Sequence, residues 1–173
     1  MNTLNPVEII NKIQTAKYKK IALPILLVIT SFIINHFYQF EETRYIAIVG
    51  LIWYVFIFMQ FKVNRVGNVE EDTICSPLSG KITDVSKQQI IITKSWFDSS
   101  DIRFSGLDEN ILFWAKKPVI LEDSDISGKL IGYTIGRNSC KIEFDEEWET
   151  LVEIGQKVIS GDPILKKREN DGE

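Results

Sequence analysis

Histidine and cysteine are almost missing from this chain. Its 173 residues hold one histidine, His36, and two cysteines, Cys75 and Cys140. One imidazole and two thiols do not make a zinc site. Charge is missing in two places: no Asp, Glu, Lys or Arg occurs from Ile21 to Phe40, nor from Tyr45 to Phe61. A basic surface is missing as well. From Val66 onward, 13 Lys and Arg stand against 21 Asp and Glu. That sign counts against nucleic acid as a partner and against flat docking on an anionic bilayer.

The two uncharged runs are "IALPILLVITSFIINHFYQF", 20 residues, and "YIAIVGLIWYVFIFMQF", 17 residues. At a rise of ~1.5 Å per residue they reach roughly 30 and 26 Å as helices, close to the thickness of a hydrocarbon core. A signal peptide is the wrong reading of the first run, because it is long, lacks a small-residue cleavage site and is followed at once by a second run. Two buried core helices are also excluded, since the remaining ~100 residues cannot cover that apolar surface on all sides. The intervening "EETR" permits only a tight antiparallel hairpin. Lys12, Lys17, Lys19 and Lys20 precede the first span, and Lys62 and Arg65 follow the second, whereas the loop holds Arg44 beside Glu41 and Glu42. The positive-inside rule therefore places both termini in the cytoplasm. Tyr38, Phe40, Tyr45 and Phe61 are interfacial aromatics on this reading, and His36, near a span end, snorkels or bonds to backbone. Ahead of the spans, Val7, Ile10, Ile13 and Ala16 recur near helical spacing, either as an interfacial amphipathic helix or as the first turns of a longer membrane helix.

The rest reads as β-structure. "KITDV", "QIIITK", "ILFWA", "PVILE", "KLIGYTI", "CKIEF" and "QKVISGDPIL" are short, rich in Ile and Val, and separated by turn residues. "DEEWETLVEIG" is long enough for one helical turn. "SPLSGKI" (Ser76–Ile82) is nearly repeated by "SDISGKL" (Ser124–Leu130), which places a turn glycine, Gly80 or Gly128, before a new strand. Two such units can pack about a pseudo-twofold axis. In "VEIGQKVISGDPIL", Gly155 and Gly161 mark two further corners. The acidic clusters Asp145–Glu149 and Glu122–Asp125 are expected to be solvated faces, with no metal. As a cytoplasmic domain it would keep both cysteines reduced.

That closing pattern resembles the end of barrel-sandwich hybrid domains, such as biotinyl and lipoyl carriers, the glucose-type phosphotransferase IIA domain and the lysostaphin-like peptidases. Their chemistries lack their atoms here: Ile126 stands where a lipoyl lysine would be, and the only histidine lies in a span. A closer resemblance is to the phosphatidylserine decarboxylases, especially their short form. "VFIFMQFKVNR", "VGNVEEDTICSPLSGKITDV", "GKLIGYTIGRNSCKIEF" and "LVEIGQKVISGDPIL" follow the order of that family's last span, acidic linker, "SPADGK" opening and closing motifs. The resemblance implies a mainly β, barrel-sandwich hybrid domain with two pseudo-symmetric halves on an N-terminal transmembrane hairpin. It would also imply a self-derived pyruvoyl group made at a Gly-Ser bond. The chain departs from the family there. Ser79 replaces the Asp of "SPADG", no histidine follows residue 41, and in "IGRNSCK" two residues separate Gly136 from Ser139.

The expected organisation is a cytoplasmic amphipathic segment at 1–20, a hairpin at 21–61 (spans 21–40 and 45–61), a linker at 62–72, the β-domain at 73–167 and a disordered tail at 168–173. The expected function is that of a non-catalytic scaffold or accessory subunit in the cytoplasmic membrane, without cofactor, whose partners are the bilayer and another membrane protein. The alternative is a divergent decarboxylase-like lyase using Ser139. A membrane protein with a small OB-type barrel, of the NfeD kind, fits less well because such barrels have no duplicated halves. Binding candidates are Trp96, Phe97, Phe104 and Trp114, in the irregular middle of the domain, where aromatics are either exposed binding groups or, the reading that comes first, part of the core.

Overall fold

A computed structural model describes residues 6–64, 72–106, 111–124 and 126–168. Two helices come first, α1 (Pro6–Tyr38) and α2 (Thr43–Gln60). The second of the two alternatives for the N-terminal segment therefore holds: it is continuous with the first span. At ~1.5 Å per residue the 33 residues of α1 run about 50 Å, well beyond a hydrocarbon core of about 30 Å. Both helices are long and apolar enough to cross a membrane, and only 17% and 22% of their most apolar windows is buried. A core helix of a soluble protein would be mostly covered.

Two hydroxyls inside the apolar part of α1 are satisfied locally, as a hydrocarbon setting would require. Thr30 Oγ1 donates to Leu26 O (2.9 Å) and Ser31 Oγ to Leu27 O (2.8 Å). The hairpin closes tightly at Gly50, where a Cβ would lie 2.8 Å from Val28 and 2.9 Å from Leu27. The connection is Gln39–Glu42, so Thr43 and Arg44, expected in the loop, already belong to α2.

Eleven short strands follow: β1 (Thr73–Cys75), β2 (Gly80–Ser86), β3 (Gln89–Lys94), β4 (Asp101–Arg103), β5 (Ile111–Phe113), β6 (Val119–Ile120), β7 (Leu130–Tyr133), β8 (Asn138–Glu143), β9 (Trp148–Thr150), β10 (Lys157–Val158) and β11 (Pro163–Lys167). They pair antiparallel in three sheets, ordered β1-β11-β9, β10-β2-β3-β8-β5 and β4-β7-β6, and among the described residues no barrel closes. Strands β1, β4 and β9 were not expected. The "DEEWE" stretch forms a turn and then β9 rather than a helical turn. The main core lies between the five-stranded sheet and the β1-β11-β9 sheet, around Ile82, Ile92, Cys140, Ile142 and Ile164, all with no exposed surface.

The two nearly repeated stretches are not used alike. Gly128 takes a left-handed φ of 76°, as do Gly155 and Gly161 at 92° each. Gly80 does not; it sits inside β2, where a Cβ would come within 2.5 Å of Thr93 O. Gly80 is needed for close strand approach rather than for a corner. Between the two copies runs β4. Arg103 N–H donates to Pro77 O on one side (2.9 Å), and Phe104 N–H to Lys129 O on the other (2.9 Å).

The helices and the β-domain share a second apolar cluster. Ile9 and Ile13 of α1, both fully buried, meet Ile57 and Phe61 at the end of α2 and Leu130 of β7, with Tyr133 and Leu121 against them. Around Ile9 and Ile13 the start of α1 is thus a strut packed on protein, while Val7 and Ile10 stay exposed and residues 1–5 of the expected amphipathic segment lie outside the described residues. The expected linker is also partly structural: Ser100 N–H donates to Lys62 O at 2.8 Å. Residues 65–71 and most of the expected tail lie outside the described residues, and Arg168 N–H donates to Glu147 O (2.8 Å).

Candidate functional site

Strand alternation directs a charge into the domain. In β3, Ile90, Ile92 and Lys94 share the inward face, and all three have no exposed surface. An ammonium held there needs partners. Lys94 Nζ donates to Asp98 O (3.0 Å), Gly136 O (3.1 Å) and Ser95 O (3.2 Å). Burial pushes its pKa down, opposed by the charges of Asp98 and Asp101. Asp98 behaves oppositely. Burial works against its charge, but the Ser95 N–H (2.8 Å to Oδ2) and Lys157 (3.0 Å to Oδ1) outweigh it and hold the carboxyl below its ordinary range.

Beside Lys94 lies a polar centre. From Thr73 to Gly80 and from Asp98 to Ser105 every residue is buried. Ser79 Oγ accepts from Ser160 N–H (2.9 Å) and bonds the Ser99 hydroxyl, and Ser99 Oγ accepts from Asn64 Nδ2 (2.8 Å). Ser160 Oγ donates to Asp101 Oδ2, which also accepts from Arg103 Nε at 3.3 Å. Arg103 uses its other nitrogens on Gly128 O (2.9 Å) and Asn64 O (2.8 Å). Asp101 Oδ1 has no partner. A serine bonded to a carboxylate is chemically suggestive, yet Ser160 and Asp101 have no surface open to a substrate. What the arrangement does is tie the chain leaving α2, strand β4 and the turn before β11 into one unit. Ser79 thus serves as one node of a buried hydroxyl network. Among the described residues no three His, Cys, Asp or Glu group to hold a metal.

The expected site residues do not form one site. Trp96 and Phe97 are exposed in the turn after β3, and their rings meet Phe56 of α2, with centroids 5.8 and 6.2 Å away. Trp114 is exposed just beyond β5, across β8 from the end of β3, where its backbone N–H donates to Ser139 O (3.0 Å) and no ring contact joins it to Trp96 or Phe97 among the described residues. Phe104 is buried, the core alternative for these aromatics, because the β4 segment is enclosed by both nearly repeated stretches. Ser139 lies within β8; its Oγ donates to Thr93 Oγ1 at 3.4 Å, and its N–H to Asn138 Oδ1. No carboxylate or imidazole bonds its hydroxyl among the described residues. His36 is exposed on α1, edge-on to Phe37.

The reading from sequence missed Lys94, Asp101, Arg103 and Glu122. Glu122, expected on a solvated face, has a side chain only 6% exposed; it pairs with Lys129 (2.9 Å), and its Oε2 has no partner. It borders a cavity of about 650 Å³ with an apolar floor of Ile102, Phe104, Ile120 and Ile131. The β4-β7-β6 sheet separates that cavity from the helices, since Leu130 and Leu121 point to the stalk while their neighbours Ile131 and Ile120 line the cavity. Burial also raises the pKa of both thiols, Cys75 and Cys140, so neither is a ready nucleophile.

No protein-family profile, curated protein or solved structure matches this chain.

Proposed function

We propose that this protein is a membrane-anchored, non-catalytic scaffold or accessory subunit. In this reading the hairpin crosses the cytoplasmic membrane twice with both termini inside, and the β-domain is a variant of the barrel-sandwich hybrid held against the inner face. The observation that carries it is an apolar surface on two sheet edges. Leu112 of β5 and Val119 and Ile120 of β6 are exposed together with Trp114. Among the described strands β5 pairs only with β8, and β6 only with β7, so each is an edge. Exposed edges with apolar side chains are surfaces that proteins normally cover. The strut of α1 supports the reading too, because a domain clamped to its membrane stem presents such a surface at a fixed height.

The decarboxylase-like alternative gains no support from Ser139, whose hydroxyl has only a threonine to donate to. Self-cleavage without positioned acid–base groups forgoes the ~10²–10⁴ that such groups supply.

Two measurements test the proposal. Photo-crosslinkers placed at Leu112 and at Val119 in native membranes should both trap the same partner, whereas one at Lys87 should not. Absence of an adduct at both edge positions would remove the scaffold reading. Intact mass should show one species near 19.9 kDa. A separate 35-residue fragment, Ser139–Glu173, with a blocked first residue would establish the lyase instead.

A further inference from the structure

The Trp96–Phe97 turn has three properties that rarely coincide. It is rigidly held, it is apolar at its tip, and it touches a membrane helix. Rigidity comes from beneath. The buried Lys94 ammonium gathers the carbonyls of Ser95, Asp98 and Gly136, Asp98 Oδ2 closes the turn on Ser95 N–H, and Phe97 N–H donates to Ser95 Oγ at 3.3 Å. Trp96 lies so close to Gly136 that a Cβ there would meet its ring at 2.9 Å. Above this base the two rings face outward, Trp96 at 39% and Phe97 at 61% exposure.

Their position along the hairpin is the informative part. Both rings meet Phe56, four residues before the end of α2, or about 6 Å down the helix axis from Gln60. On α1 that level corresponds to Ile21, since Ile21 and Ile57 share one cluster and Gly50 meets Pro24, Leu27 and Val28. Ile21 is the first residue after Lys17, Lys19 and Lys20 and the start of the uncharged span. The turn therefore stands where the charged part of the stem gives way to the apolar part. That is the headgroup level of a bilayer, where tryptophan is preferred because its ring is apolar and its N–H stays wet.

We propose that the Trp96–Phe97 turn is inserted into the interface of the same bilayer that the hairpin crosses, as a further anchor that fixes the orientation of the β-domain. This rests on the membrane reading of the hairpin. The occupant is lipid rather than a partner protein, because the patch is continuous with the side of α2 that the spans present to the bilayer.

The test uses the full chain in phospholipid vesicles, with bromine carried high on the acyl chains as quencher. Three single-tryptophan chains are compared: one keeping Trp53, one keeping Trp148, which lies beside Ser86 and Lys87 at the other end of the five-stranded sheet, and one in which all four tryptophans are Phe and Phe97→Trp supplies the probe. The expected result is strong quenching at position 97, comparable with Trp53, and none at Trp148. Quenching of Trp53 without quenching at 97 overturns the inference and leaves the hairpin reading intact. Absence of quenching at Trp53 overturns both. Shielding of position 97 from lipid bromine and from aqueous iodide alike means a protein covers the turn, which also overturns it. The unmodified chain gives an independent readout. A photoactivatable phospholipid reactive near the glycerol end should label the peptide that contains Trp96 and Phe97. Label confined to α1 and α2 would count against insertion.

Discussion

Ile13 and Ile33 belong to the same helix and to different solvents. Ile13 has no exposed surface and packs with Leu130 and Phe61, whereas Ile33 is 51% exposed on the span. The hairpin and the β-domain differ in the same sense. In the hairpin, large apolar side chains face outward, and Thr30 and Ser31 bond their own helix. In the domain, isoleucines face inward and two cations (Lys94, Arg103), two carboxylates (Asp98, Asp101) and three serines (Ser79, Ser99, Ser160) share the centre with them. The lesson is that residue type does not fix where a side chain goes; the medium around the element decides which face is turned away from it.

The most severe way to break the domain side of this comparison is Lys94→Met. The methionine fills the stem's volume but leaves three buried carbonyls without their donor. A loss of about 3 kcal/mol or more is expected, a large share of the stability of a small domain. Chemical unfolding of the detergent-solubilised chain, followed by tryptophan emission, measures it. A loss below about 1 kcal/mol would mean that those carbonyls find other donors.

Ile13→Ala against Ile33→Ala sharpens the comparison within α1. The first opens a cavity at the junction and is expected to cost about 2–3 kcal/mol. It should speed hydrogen exchange in β7 while leaving β3 and β8 protected. The second removes a side chain from the exposed apolar surface of α1 and should leave exchange in the β-domain unchanged. Equal effects would show that the strut and the span share one environment.

These pairs also show what the sequence made legible. The far ends of the two spans fell within two residues of the ends of α1 and α2 because charge resumes at Glu41 and at Lys62, whereas the stop of charge at Lys20 marks no helix end, since α1 begins at Pro6. The strut was not separable from an interfacial helix, because its partners, Leu121, Leu130 and Tyr133, lie more than a hundred residues away. Strands β2, β3, β7 and β8 were visible from their Ile and Val alternation, but β1, β4 and β9, of three residues each, are too short for a period to show. Lys94 did leave a signal: it continues the alternation of Ile90 and Ile92 and therefore had to point inward. For Phe104 the sequence left exposure and core both open, because "SSDIRFS" shows no period and only the two flanking chain segments bury the ring.

Asp98 offers a smaller and pH-dependent effect. Its carboxyl is held below its ordinary value of 3.8, so the folded state binds its proton less readily than the unfolded chain. Its contribution is complete above that value and is lost as pH falls through the folded pKa. Thermal unfolding from about pH 5 to pH 3 should show a destabilisation of about 1 kcal/mol that Asp98→Asn largely removes. An unchanged acid limb in the variant would assign that limb to other carboxylates.

The smallest expected effect belongs to Ser139→Ala, and it bears on what the domain is for. The Ser139 hydroxyl is half-buried and makes one long bond, 3.4 Å, to Thr93 Oγ1. Its peptide lies in the regular ladder of β8, with Ser139 opposite Thr93 and Asn138 opposite Lys94. Attack by this hydroxyl on the preceding carbonyl would have to break that pairing, with no carboxylate or imidazole bonded to it to take the proton. Removing the hydroxyl should therefore change stability by no more than about 0.5 kcal/mol. The intact mass should fall only by the oxygen that Ala lacks. Trapping at Leu112 and Val119 should continue unaltered, since the edge strands do not depend on this side chain. A wild-type chain that is cleaved before Ser139, beside a variant that is not, would move the protein from scaffold to lyase and would make the β8 ladder a precursor state rather than the finished sheet.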